Sequence, residues 1–226
     1  PASGSMITTT SPTITFNTNE NARCRWSLLD QAYGAMPGAN TCDLNYTLSH
    51  SCPTNNLIEG LEIVYISCGD DTGVSPNEDT AATNRELSYT VDTIAPTVII
   101  TSIGGDSSSP YSISDNTPLA AITTNENADC RASADGDESY DQMLDDVDCT
   151  GDGTATHNCQ FSTAIPDSAS QGIYFACRDT AGNKNTALNN LGITAEIDTV
   201  IPVQSGHSPA SGSMITTTSP TITFNT

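Results

Sequence analysis

The chain has 226 residues, and 27 Asp and Glu side chains against six Lys and Arg give it a formal net charge of −21 at pH 7. Such a charge excludes nucleic acid as a natural partner, because there is no basic surface to displace counterions from phosphates. Leu, Ile, Val and Phe number only 40, a share typical of disordered chains. The eight cysteines can compensate for so small a core by crosslinking, which predicts an extracellular or cell-surface location.

Short segments rich in Thr, Ile, Val and Tyr recur along the chain, and many alternate apolar with polar residues. In chain order they include residues 13–18, 22–27, 62–68, 86–91, 97–103, 172–178 and 193–198. This alternation predicts strands with one face on a core and one in water. No stretch keeps a helical apolar period over the roughly 11 residues of a typical helix. The sequence therefore predicts an all-β fold built as antiparallel sandwiches.

Two repeats divide the chain. Residues 1–18 are identical to residues 209–226, which gives a period of 208 residues, and identity of this length indicates a repeating unit. Within that period the eight cysteines align as two sets of four, and the letters around them keep the same register. We therefore predict module A at residues 1–96, module B at residues 97–202, and the start of the next copy of module A at residues 203–226.

Each module carries the same closing motifs. A late strand contains Tyr-x-x-Cys, ending at Cys68 in module A and at Cys177 in module B. An Asp-Thr-x-x-Pro motif then follows, beginning at Asp92 and at Asp198. Proline lacks an N–H and biases the residue before it toward extended geometry, so we expect a tight joint of about five residues or fewer. Modules joined in this way should form a rod.

These motifs, together with Cys24-Arg25-Trp26 in an early strand, resemble the tandem immunoglobulin-like or fibronectin-III-like modules of bacterial and archaeal extracellular surface proteins. The resemblance covers nearly the whole chain. It implies two tandem immunoglobulin-like antiparallel β-sandwiches, stapled by disulfides, plus the first strands of a third module. It also implies a fibre, stalk or adhesin. The family's disulfide joins the two sheets, whereas Cys24 lies one strand later, so we expect its bridge within one sheet.

Four cysteines per module allow three pairings, which the sequence alone cannot distinguish. We prefer a nested pairing, because the outer cysteines lie in strand-like segments and the inner ones flank a polar loop. The predicted bridges are Cys24 with Cys68, Cys42 with Cys52, Cys130 with Cys177, and Cys149 with Cys159. A metal site is the weaker alternative, because structural zinc sites space their paired cysteines two to four residues apart and the closest pair here is ten apart.

An acidic segment in module B has the spacing of a calcium loop. Eight acids lie between residues 135 and 152 with no base among them. The candidate ligands are Asp135, Asp137, Ser139, Asp141 and Asp146. Tyr140 stands where that loop needs Gly, and Asp146 stands where a bidentate Glu is usual. A hydrated acidic loop is the simpler interpretation, because runs of like charge are usually solvated.

A second cation hypothesis concerns the joints between modules. Its candidate ligands are Glu20 or Glu126, Asp70 or Asp179, and Asp92 or Asp198, which could converge to stiffen the rod. We favour ordinary turn and cap chemistry for these Asp residues and their Asn neighbours. We expect no cofactor to be required, with calcium as the one that could bind.

The remaining sequence features give only weak indications of function. Asn45 begins a glycosylation sequon in an expected loop. No nucleophile elbow, P-loop or zinc-protease motif occurs, so we expect no enzyme activity. A carbohydrate- or ligand-binding module is the alternative function, although we expect Trp26, the one tryptophan, to belong to the core. No apolar run approaches the roughly 20 residues of a membrane-spanning helix, and we expect any targeting segment to lie outside this sequence.

The predicted function is the structural repeat unit of an extracellular filament or surface adhesin stalk. The expected partners are copies of the same unit, arranged head to tail. One long polypeptide could repeat the unit covalently, or separate subunits could lend a strand to a neighbour's sheet. We favour the covalent repeat, because a donated strand should replace a missing strand and not duplicate one that is already present.

Overall fold

The computed structural model describes residues 1–42, 46–70, 77–144 and 146–225. Fourteen strands and one short 3-10 helix (Tyr33–Ala35) lie in this part of the chain. The strands are β1 (Ser5–Ile7), β2 (Thr13–Ser27), β3 (Thr47–Pro53), β4 (Gly60–Gly69), β5 (Arg85–Val91), β6 (Val98–Ile103), β7 (Tyr111–Ile113), β8 (Leu119–Ser133), β9 (Val147–Asp148), β10 (Thr154–Gln160), β11 (Ser168–Asp179), β12 (Leu191–Ile197), β13 (Ser205–Ser208) and β14 (Thr223–Asn225). The fold is all-β, as predicted, and no described helix has the length and apolar character needed to cross a membrane.

The described strands pair in three separate groups. In module A the strand order is β1-β5-β4-β2-β3, and in module B it is β10-β8-β11-β12-β7, with β6 and β9 also paired to β8. Strands β13 and β14 form a separate two-stranded sheet. Most pairs are antiparallel, but β1 runs parallel to β5 and β7 runs parallel to β12. These three-residue parallel edges are absent from the sequence prediction, because three residues are too few for a period of two to stand out.

The longest strands differ from the prediction. Residues 13–18 and 22–27 were expected as separate strands, but they form the single strand β2, whose first half pairs with β3 and second half with β4. The register shifts between Asn17 and Ala22, so the strand bends there and passes from one layer of the sandwich to the other. Strand β8 does the same in module B, pairing with β10 through its first half and β11 through its second.

Each module encloses its own hydrophobic core between the two layers. Trp26, Val64 and Tyr89 are among the buried side chains of module A, and Ile122 and Phe175 among those of module B. Trp26 is 3% exposed. It therefore serves the core, as expected, and offers no aromatic surface to a sugar ring.

The four disulfides have the nested pairing favoured by the sequence. They are Cys24–Cys68, Cys42–Cys52, Cys130–Cys177 and Cys149–Cys159. Cys24 and Cys68 lie directly opposite each other on β2 and β4, and Cys130 and Cys177 do so on β8 and β11. These bridges therefore join neighbouring strands of one layer, and the immunoglobulin pattern of a bridge between layers does not apply.

An arginine beside each outer disulfide fixes the loop that follows its strand. Arg25 lies 4.5 Å from the centre of the Tyr33 ring and donates to the Tyr33 carbonyl. Arg131 makes the same two contacts with Tyr140, at 4.3 Å from the ring. Cation–π contacts of this kind hold a loop against a strand without a regular backbone ladder. All five arginines of the chain lie in strands.

Candidate cation site at the junction of the modules

The junction between modules A and B is short and is fixed by module B. Residues 92–97, six in all, separate β5 from β6. The side-chain amide of Asn185 donates to the carbonyl of Pro96 (2.9 Å), and the N–H of Thr97 donates to the side chain of Asn125 (2.7 Å). Asn185 is buried. The linker backbone is therefore held by hydrogen bonds and does not behave as a free coil.

Three carboxylates converge on this linker. Oxygen atoms of Asp92, Glu126 and Asp179 all lie within 4.8 Å of one another. Asp92 directly follows β5, Glu126 lies in the bend of β8, and Asp179 ends β11. Asp179 is 4% exposed, and the other two are half-buried. Among the residues that the structure describes, this is the one group of three or more acids, histidines or cysteines close enough to share a metal ion.

Neighbouring amides fix the position of Asp179. Its Oδ1 accepts from the N–H groups of Gly182 (2.6 Å) and Asn183 (2.8 Å). The side-chain amide of Asn183 donates both to Asp179 Oδ2 (2.8 Å) and to Asp92 Oδ1 (3.0 Å). Asn183 therefore joins a carboxylate of module B to the carboxylate at the start of the linker, and it holds the two near each other.

The carboxylates at the junction repel one another. Burial raises the pKa of Asp92 above its ordinary value of 3.8, and the charges of Asp179 and Glu59 raise it further. Burial also raises the pKa of Glu126 above 4.5, with smaller contributions from Asp92 and Asp179. Repulsion of this kind favours a bound cation or a proton.

The three carboxylates are oxygen ligands of the kind that a hard cation such as calcium prefers. All three candidate ligands are carboxylates, and calcium prefers six to eight oxygen ligands in flexible geometry. Backbone carbonyls and water would have to complete such a shell. The linker carbonyl of Asp92, which accepts from Asn183 (3.0 Å), lies beside the cluster.

The other junction candidates, Glu20, Asp70 and Asp198, are the sequence counterparts of Glu126, Asp179 and Asp92. Asp70 accepts from the N–H of Asn77 (2.6 Å) and from its side-chain amide (2.9 Å), as Asp179 does from Asn183. Glu20 is exposed in the bend of β2. Asp198 follows β12 and accepts from the N–H of Val200 (3.0 Å). Within the described residues these three carboxylates do not come together.

The acidic loop of module B has other partners. Asp141 accepts two hydrogen bonds from Lys184 Nζ (2.8 and 3.0 Å), and Asp137 accepts one from Asn190 (2.7 Å). Ser139 donates to Gln142 (2.8 Å). Asp135 is exposed and Asp146 half-exposed. No three of the loop's described carboxylates share one position in the way the junction acids do, so calcium in this loop remains a hypothesis. Asn45, the glycosylation candidate, lies outside the described residues.

Sequence comparisons find no matching family model and no matching curated protein. Among solved structures, a human desmocollin-1 ectodomain is similar over 81% of this chain, with 9% identity and a TM-score of 0.30. A structure of protocadherin gamma B2 extracellular cadherin domains 1–5 is similar over 87% of the chain, with 13% identity and a TM-score of 0.33. The chain spans 31% and 38% of the length of these two structures.

Proposed function

We propose that the protein is the structural repeat unit of an extracellular filament or surface adhesin stalk, and that it acts as a rigid, disulfide-stabilised rod. The observation that carries this proposal is the repeat. Residues 209–226 reproduce residues 1–18, and the sheet of β13 and β14 lies in this second copy of the segment and just before it. These two observations support a third module that begins in series with the first two.

The stiffness of the rod comes from two features. Four disulfides hold the strands of both modules, and the six-residue linker is fixed by hydrogen bonds that Asn183 and Asn185 donate and that Asn125 accepts. A cation bound by Asp92, Glu126 and Asp179 would add a third, because it would join the linker directly to module B. We propose calcium for this position.

The partners in this proposal are copies of the unit arranged head to tail, and a covalent tandem repeat is favoured over assembled subunits. The chain has no cysteine outside its four bridges, so disulfides would not link one unit to the next. The net charge of −21 would keep a dense layer of such filaments soluble through mutual repulsion. Catalysis is not part of the proposal.

Denaturing gel electrophoresis of the native filament, boiled with and without reductant, tests the covalent arrangement. We expect a species far larger than the 23.6 kDa of this chain to survive both treatments, since neither boiling nor thiols break peptide bonds. The recombinant 226-residue chain is the size control on the same gel. A discrete band near one unit would instead mean that subunits assemble without fusion, and the covalent repeat would be wrong.

A further inference from the structure

Module A has an open edge where module B has a strand. In module B the first half of β8 lies between two neighbours, β10 on one side and β6 on the other. In module A the first half of β2 pairs with β3, and no described strand occupies its other side. An unpaired edge presents a row of N–H and C=O groups that can bind an added strand.

A groove of about 770 Å³ runs along this edge. Its lining comes from β2 and from the ends of β4 and β5, including Ile66, Cys68 and Leu87, together with residues 1–3 and 77–79. The β2 residues in it are more exposed than their module B counterparts: Phe16 is half-buried where Ile122 is buried, and Thr18 is half-buried where Thr124 is buried. The groove therefore matches the space that β6 fills in module B.

The chain itself carries a strand for such an edge. When the Asp-Thr-x-x-Pro motifs at Asp92 and Asp198 are aligned in sequence, residues 204–209 correspond to Val98–Ile103. Strand β13 is therefore the sequence counterpart of β6. Strand β14 lies in the second copy of the segment that forms β2, with Asn225 corresponding to Asn17. The pair β13–β14 therefore corresponds to an incoming strand on β2.

The register of that pair is the register of β6 on β8. Ile99 lies opposite Thr123 and Ser102 opposite Ala121, with an irregularity between them. Ser205 lies opposite Asn225 and Ser208 opposite Thr223, again with an irregularity between them. Each β13 residue follows its β6 counterpart by 106 positions, and Asn225 and Thr223 repeat Asn17 and Thr15. The same strand pairing therefore occurs twice in the structure.

We propose that the groove of module A accepts a β-strand formed by residues 203–208 of a second copy of this unit. The proposal rests on the head-to-tail function above and adds its contact: Ser205 opposite Asn17 and Ser208 opposite Thr15. The incoming segment has no acidic residue, which suits a groove lined by Glu20, Asp70, Glu78 and Asp79. Gly206 takes the place of Ile100, which lies opposite Ile122, and so leaves room for the larger Phe16.

Docking would also complete a second carboxylate cluster. In module B the linker that leads into β6 brings Asp92 to Glu126 and Asp179. The linker that leads into β13 carries Asp198, and Glu20 and Asp70 line the groove. The incoming copy would therefore place its Asp198 beside Glu20 and Asp70, and the joint between units would repeat the joint between modules.

Hydrogen exchange on an extended chain tests this proposal. Residues 197–208 are added in front of Pro1 of the full chain, so that module A receives the segment that precedes Pro209. We expect the amides of residues 13–18 that point away from β3 to exchange at least about ten-fold more slowly than in the unextended chain, because the added strand would pair with them. The matched control carries Ser205→Pro and His207→Pro in the added segment, which removes two N–H donors, and it should give no protection.

The amides of β8 are the internal reference, because β6 already covers them. Equal exchange of residues 13–18 in the unextended, extended and proline-bearing chains would overturn the groove assignment. That result is separate from the gel result. A filament of fused units whose groove stays unprotected would contradict this contact alone, whereas protection in the extended chain would stand even if the gel showed single units.

Discussion

Replacing both Cys130 and Cys177 by alanine is expected to lower the free energy of unfolding of module B by about 4 kcal/mol. The bridge closes 47 residues, and the loss follows from the chain entropy that a crosslink of this length removes from the unfolded state. Both residues are buried at the centre of the β8–β11 pair. For a module of about 100 residues, each kcal/mol corresponds to about 4 to 8 °C in melting temperature, so the effect is measurable by calorimetry.

The matched control is the pair Cys149 and Cys159 in the same module. This bridge closes only ten residues, and the same entropy relation gives a loss of about 2.7 kcal/mol. The outer-bridge variant should therefore melt below the inner-bridge variant, with module A as an unchanged reference in both. Equal losses for the two variants would show that the length of the closed loop does not set the stabilisation.

Calcium is expected to raise the melting temperature of the wild-type chain, and Asp92→Asn is expected to abolish most of that rise. At about 10 mM calcium, a site with the affinity of extracellular modules would stabilise the folded state by about 1.5 to 3 kcal/mol. Without calcium the same substitution should be stabilising, because it removes one of three mutually repelling carboxylates. Calorimetry with chelator and with calcium measures both effects.

The pH dependence gives an independent check on the same cluster. The pKa values of Asp92 and Glu126 are raised in the folded state, so the folded chain binds more protons than the unfolded chain just above pH 3.8 and 4.5. In chelator these two groups should therefore stabilise the fold progressively as the pH falls through their raised values, and destabilise it as the pH rises. Calcium should weaken this dependence by competing with protons.

Asp198→Asn is the matched control for the junction. Asp198 is the sequence counterpart of Asp92 and follows β12 as Asp92 follows β5. In the described structure it belongs to no carboxylate cluster. Its substitution should leave the calcium response of the chain unchanged. A calcium response that survives Asp92→Asn, or that is lost equally in Asp198→Asn, would contradict a site at the junction.

The sequence predicts the four bridges and the strands β4, β5, β6, β11 and β12, because these depend on local pattern and on the repeat, whereas β3, β8 and β10 are not among the predicted segments. Residues 62–68 and 172–178 form the cores of β4 and β11 as expected. The merging of residues 13–18 and 22–27 into β2 could not be predicted. Residues 19–21, Asn-Glu-Asn, have the composition of a turn. The chain stays extended there because β2 pairs with β3 before this segment and with β4 after it.

The candidate site could also be predicted only in part. The sequence contains Asp92, Glu126 and Asp179 as possible partners, but turn chemistry is the simpler explanation at that stage. Their convergence depends on the direction of the linker, which Asn183 and Asn185 set through contacts some 90 residues apart in the chain. The loop at residues 135–146 has better spacing for calcium. Two of its acids, Asp141 and Asp137, instead accept hydrogen bonds from Lys184 and Asn190, which are also distant in the chain.

The placement of the few basic residues has a consequence for survival outside the cell. Proteases that cut after Lys or Arg attack exposed loops that can fit extended into the enzyme. Here the five arginines lie within β2, β5, β8 and β11, and Lys184 is paired with Asp141. The loops contain many Asp, Asn, Gly, Ser and Thr residues. Trypsin-like cleavage after Arg23, Arg25, Arg131 and Arg178 would therefore require strands to open first, whereas Arg85 begins β5 and Lys184 lies in a loop.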